Sequence, residues 1–227
     1  MDKVLQLKKK LSQLALLDAT FQVFGSESHE YQLKPCLSNK EIQVFECTHN
    51  ITLPSEYRDF LLEVGNGGTG PGYGLSGLLV IEYEDIIPEK LYQENYEILS
   101  KPFPLTEAWN DLDLIVKNNT DFVANNDAYF NDKFIQGTLT ITNYGCGIYA
   151  LLVITGEQSG KIWIDDRTND NGIYPATLSF CHAFHDINPD DFHFHQDSEE
   201  EQPLSFYDWY EDWLNRSLDQ TRQSSET

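Results

Sequence analysis

Residues 137–167 read GTLTITNYGCGIYALLVITGEQSGKIWIDDR. Three apolar runs stand in this stretch, at 139–142, 148–154 and 162–164, with two glycine turns between them. Short runs rich in Ile, Val, Thr, Tyr and Trp, bounded by Gly and Asn, read as strands. A helix does not fit, because Gly145, Gly147, Gly156 and Gly160 break every window long enough to hold one. The middle run has too few polar residues for a wet face, so it is expected at the centre of a sheet, covered on both sides. The turns at 143–147 and 156–160 are short enough for antiparallel hairpins. The stretch thus predicts a three-stranded meander. Trp163 is expected to be buried on it, with Trp209 or Trp213 close by.

Outward from the meander, helical periodicity takes over. Val4, Leu7, Leu11, Leu14, Leu17 and Phe21 share one stripe, which predicts an amphipathic helix over 3–21. Residues 41–48 alternate loosely and fit a strand or a helix. Tyr57, Phe60, Leu61 and Val64 give the stripe of a core-facing helix, which Pro54 starts and Gly65 stops. A glycine-rich loop follows, around Tyr73. As a phosphate cradle it lacks the preceding strand and the Lys with Ser or Thr that such loops need, so it reads as a tight turn in which Tyr73 packs. A strand is expected at 78–82, a helical or mixed segment at 83–99, and an asparagine-rich surface excursion at 117–133 with a short helix near its end. Ser205 and Asp208 make a helix cap, and Phe206, Trp209, Tyr210 and Trp213 form an aromatic stripe that must dock onto something.

The chain has 227 residues and a net charge of −22. Such an excess argues against nucleic acid and anionic membrane as direct partners and favours a basic protein. The charge is uneven: residues 1–40 carry +2, whereas 165–227 set three arginines against fifteen carboxylates, a net of −12. That gradient serves either solubility or a partner-facing surface. Cys36, Cys47, Cys146 and Cys181 form no C-x-x-C pair, and neither a secretory signal nor a membrane-length run is present. The expected location is the cytoplasm, with reduced thiols.

Candidate chemistry is sparse. His182, His185, His193 and His195 lie close in sequence, but their spacing matches no zinc motif, and no metal or cofactor is expected. Asp165 and Asp166 fit a turn better than an acid–base pair.

Four landmarks taken together resemble a known family. Leu53-Pro54 with Tyr57, Phe60 and Leu61, closing on Asn66-Gly67-Gly68, resembles the opening motif of the SMI1/KNR4 family of the SUKH superfamily. Pro102-Phe103-Pro104 with Trp109 follows, and then the hairpin from Gly145-Cys146-Gly147 to Trp163 and Asp165. Phe206, Trp209, Tyr210, Trp213 and Leu214 are similar to the closing helix. The resemblance implies an α+β fold in a single domain. A largely antiparallel central sheet would carry helices packed against it, including an N-terminal helix and an aromatic C-terminal helix. The family-like domain would span 51–218, with 1–50 packed on it as helix and lead-in and 219–227 as a frayed tail. The resemblance also implies a non-enzymatic protein-binding module, either an immunity protein that neutralises a cognate toxin or a regulatory scaffold with several partners. It carries over no catalytic residues. From charge and expected exposure, the partner-binding candidates are Asp165, Asp166 and Asp170, with Asp186, Asp190, Asp191, Asp197, Glu199, Glu200 and Glu201. Phe192 and Phe194 are candidate apolar anchors between the acidic runs, and the alternative sites are the glycine loop around Tyr73 and the asparagine-rich excursion.

Overall fold

The computed structural model describes residues 3–78, 98–116, 126–186 and 202–225. Most of the expected elements at 78–82 and 83–99, and most of the acidic segment after Asp186, lie outside those residues.

The predicted meander forms and gains a fourth strand. Strands β1 (Thr138–Gly145), β2 (Ile148–Val153), β3 (Ile162–Asp166) and β4 (Gly172–Pro175) pair antiparallel in chain order. Gly145 faces Ile148, which leaves Cys146 and Gly147 as the turn, with φ of 50° and 78°. Two left-handed central residues match the right-handed twist of the flanking strands. A Cβ at Gly147 would lie 2.6 Å from the Thr168 side chain, so that position also needs glycine to let the next turn approach. Along β2, Ala150 to Val153 are buried and Tyr149 is half-exposed.

Alternation along β3 divides the core in two. Ile162 and Ile164 face the large cluster under the helices. Trp163 points the other way, into a smaller cluster with Phe103, Leu151, Val153 and Ile173. Its ring meets Phe103 edge-on at 5.0 Å. Trp163 is fully buried as expected, but Trp209 and Trp213 belong to the opposite cluster. The expected indole neighbourhood is therefore corrected: a period of two puts adjacent strand residues on different faces, and the aromatic helix covers the isoleucine face.

Helix α1 (Lys3–Leu17) buries Val4, Leu7, Leu11 and Leu14. It ends four residues before Phe21, which adopts φ 54°. There the buried Asp18 carboxylate accepts from the Gln22 and Val23 amides, the Ser26 hydroxyl and the Tyr31 phenol, which folds the chain back. After α2 (Ser26–His29), residues 39–49 form helix α3 (Asn39–His49), closing the strand-or-helix question. Ser38 and Glu41 cap it reciprocally, a signal present in the sequence as S-x-x-E. Helix α4 (Ser55–Glu63) buries Tyr57, Phe60 and Leu61 as its stripe requires. Short helices α5 (Asp113–Val116) and α6 (Asn126–Tyr129) and a 3-10 turn lead to β1, and α7 (Leu178–Asp186) follows β4.

The last helix, α8 (Phe206–Ser225), docks its aromatic stripe completely: Phe206, Trp209, Tyr210, Trp213 and Leu214 are buried. Phe206 meets Tyr57 and Phe60 edge-on at 5.1 and 5.2 Å. Ser205 and Asp208 bond each other at the helix start, as the sequence predicts. The helix runs to Ser225 where a frayed tail was expected, because Leu218 and Thr221 continue the buried stripe. Helix α1 lies parallel to it, with Lys3 3.4 Å from Asp208 and Lys10 2.7 Å from Asn215.

The glycine loop lies along β1. Single-residue bridges link Leu33 to Gly68, Gly68 to Leu75, and Leu75 to Thr142. A Cβ on Gly68, at φ 99°, would fall 2.3 Å from the Gln32 carbonyl oxygen. The glycines are thus there for backbone packing, not for a phosphate. On the far side of the sheet, Trp109 and Ile173 exchange both backbone hydrogen bonds at 2.8 Å.

Candidate functional site

The acidic turn between β3 and β4 is the described part of the predicted site. Asp165 ends the regular part of β3, and its two oxygens accept from the Nε and Nη2 of Arg167, each at 2.7 Å. Arg167 is buried. Its Nη1 also donates to the Tyr129 carbonyl at 3.2 Å, and its guanidinium stands 5.6 Å from the Phe130 ring centre. One buried cation thus fastens the end of the 117–133 excursion, at Tyr129 and Asn131, to the sheet. Nothing local in the sequence marks Arg167 for that role, since its partners are 36 to 38 residues away.

Asp166 has no exposed surface. Its carboxylate accepts from the Asn169 and Asn171 side-chain amides at 2.6 and 2.8 Å and from the Tyr174 phenol at 3.2 Å. Burial pushes its carboxyl above the usual range, and these three donors oppose that shift. As a surface contact Asp166 is corrected by its burial: it is the internal organiser of the turn. Asp170 is exposed, at φ 60°, and its carbonyl accepts from Asn110 Nδ2 at 2.7 Å. Asp186 closes α7. Asp190, Asp191, Phe192, Phe194, Asp197, Glu199, Glu200 and Glu201 lie outside the described residues. Asp165 and Asp166 both accept hydrogen bonds inside the turn, and neither is set as a general base.

Other candidates can be placed. His182 is exposed on α7, with Nε2 3.5 Å from an Asp212 oxygen, and Arg216 donates to the other at 2.8 Å. His185 is on the same helix, and His193 and His195 lie outside the described residues. Among the described residues, no three His, Cys, Asp or Glu side chains converge on a point that would hold a metal. No described helix is long and apolar enough to cross a membrane. Between the end of α3 and the β2–β3 turn lies an open groove of about 730 Å³, bordered by Glu46, Cys47, Ile51, Thr52, Thr155 and Ser159. Its one carboxylate, Glu46, already accepts the Leu53 amide at 3.0 Å.

Helices packed against an antiparallel four-stranded meander, with structural carboxylates at its turn, define a single α+β domain. The sequence model of the SMI1 / KNR4 family (SUKH-1) matches residues 36–215, and the chain belongs to that family. The SUKH family is known for immunity-type modules. No curated protein and no solved structure matches the chain.

Proposed function

We propose that this chain is a non-enzymatic protein-binding module of the immunity type. It binds a cognate basic toxin in the cytoplasm, a nuclease being the simplest case, and occludes its active site. The family match over 36–215 carries this reading. The net charge of −22 supports it, because a nuclease site must be basic to hold phosphates and an acidic surface can occupy it as a mimic.

The contacts in this reading are Asp165 and Asp170 at the turn, then Asp186, Asp190, Asp191, Asp197, Glu199, Glu200 and Glu201, with Phe192 or Phe194 as an anchor. Steering by such a field raises the association rate and is screened by salt. The first test reads the adjacent genes for a secreted basic toxin and co-expresses the two: protected growth is expected, and the lack of such a gene or unprotected growth rejects the reading. The second is Glu199→Lys, Glu200→Lys and Glu201→Lys together, with association measured over a range of salt. Slower association with a shallower salt dependence is expected. Unchanged kinetics would remove that segment from the interface.

A further inference from the structure

The geometry points to a ridge at the turn end of the sheet, centred on Phe24 and Tyr73, as the surface that receives an arginine-bearing segment of a basic protein partner. The inference rests on the reading above that the partner is a basic protein.

Phe24 and Tyr73 are large aromatic residues that stay 40% and 47% exposed, and their ring centres are 5.4 Å apart. Their backbones are fixed. The Tyr73 amide donates to the Asn143 carbonyl at 2.9 Å. A Cβ on Gly25 would fall 1.8 Å from the Gly72 carbonyl oxygen, so the two segments that carry the rings touch main chain to main chain. Gly145 lies against the Tyr73 ring, where a Cβ would be 3.2 Å from a ring carbon. The ridge continues across the β1–β2 turn, where the Cys146 carbonyl accepts from Asn169 at 3.0 Å, and reaches the exposed Asp170.

Charge decides the partner. The four contributing segments, 18–31, 66–78, 143–147 and 165–172, contain Arg167 as their one Lys or Arg. It is buried and paired with Asp165. Glu27, Glu30 and Asp170 are exposed on the same segments. A second copy of this chain, at −22, is repelled by such a surface; a cationic segment is attracted. Exposed rings held in place before binding are effective anchors, since little side-chain freedom remains to be lost. A guanidinium suits them better than an ammonium: it is planar, weakly hydrated and stacks on aromatic faces.

The test uses the full-length protein, isotope-labelled, and two probes of equal charge, an alternating Arg-Gly peptide and an alternating Lys-Gly peptide. With the arginine probe, amide shifts are expected at Phe24, Tyr73, Gly145 and Asp170. The double variant Phe24→Ala with Tyr73→Ala should bind it roughly five- to thirtyfold more weakly, the factor two exposed ring–cation contacts supply. Glu27→Lys with Asp170→Asn keeps both rings and suits the left-handed φ at 170; it should also weaken binding, with an unchanged melting temperature. Shifts confined to 187–201, equal binding of the lysine probe, or parent-like binding by both variants overturns the inference. Protection in the toxin assay separates the two readings. If the double variant protects as well as the parent, the ridge is wrong and the toxin reading stands. If the parent fails to protect yet the arginine probe binds the ridge, the toxin reading falls and the ridge stands.

Discussion

The indole N–H of Trp209 donates to the phenol oxygen of Tyr144 across 3.0 Å, tying the aromatic helix to β1 between two buried side chains. Burial also pushes the Tyr144 phenol above its ordinary range. Tyr144→Phe removes the acceptor and strands a buried donor. The expected loss is about 1–3 kcal/mol, read by chemical denaturation. A variant as stable as the parent would mean that this bond does not hold the helix to the sheet.

Trp163 tests the second cluster independently of α8. Trp163→Ala should lose about 3–5 kcal/mol through the cavity it leaves. Trp163→Phe should lose less, about 1–2 kcal/mol, because the buried indole N–H finds no hydrogen-bond partner among the described residues. Melting curves of the two variants give the order directly; equal losses would contradict it.

His29 sets an acid limit on stability. It is buried, its Nδ1 accepts the Tyr31 amide at 3.1 Å, and its ring meets Trp213 edge-on at 6.2 Å. Burial pulls its pKa down from 6.5 to about 4, with hydrogen bonding to Gly70 and the Asp18 charge opposing. The folded state therefore binds fewer protons than the unfolded state below pH 6.5, and stability falls as pH drops from there to about 4. Asp18 acts in a lower window. Burial raises its carboxyl, but bonds from Tyr31, Gln22, Val23 and Ser26 outweigh that and lower it, so its contribution is lost only below its ordinary value of 3.8. Urea midpoints from pH 7 to 4.5 should decline in the parent, by roughly 2 kcal/mol in stability, and decline less in His29→Gln. Parallel pH profiles would exclude His29 as the cause.

The glycine loop can be tested at two positions of unequal demand. Gly68→Ala puts a Cβ against the Gln32 carbonyl at a left-handed φ, and a loss above about 2 kcal/mol is expected. At Gly160, φ 86°, the nearest atom is the Pro54 Cβ at 3.5 Å, so Ala meets backbone strain alone, about 1 kcal/mol. Thermal unfolding of the pair reads the difference.

Periodicity made the elements legible. The stripes of α1, α4 and α8 and the runs of the meander each follow from spacing, and burial agrees with them except at the end of the α1 stripe, where Leu17 is exposed and Phe21 lies beyond the helix. The capping box Ser38–Glu41 was equally readable and would have made α3 a helix at once. What spacing does not carry is which face meets which element, so the side of the sheet that Trp163 faces was not legible. Long-range polar bonds escaped for the same reason: Arg167 reaches back to Tyr129, and Asp18 to Tyr31, across segments whose sequences announce nothing. Of the acidic site, the sequence shows the charge but not its use. Asp166 reads like Asp170 in composition, and only the donors around it make one internal and the other exposed.

Main chain lies against both outer strands of the sheet, the glycine loop along β1 and Trp109 along β4. At those places, a partner cannot recognise this protein by laying down another strand, a mode whose affinity comes from backbone bonds common to every sequence. In the proposed binding, discrimination at those two places falls on side chains carried by the sheet. A new specificity can then be reached by exchanging surface residues one at a time, with the register of the sheet left untouched.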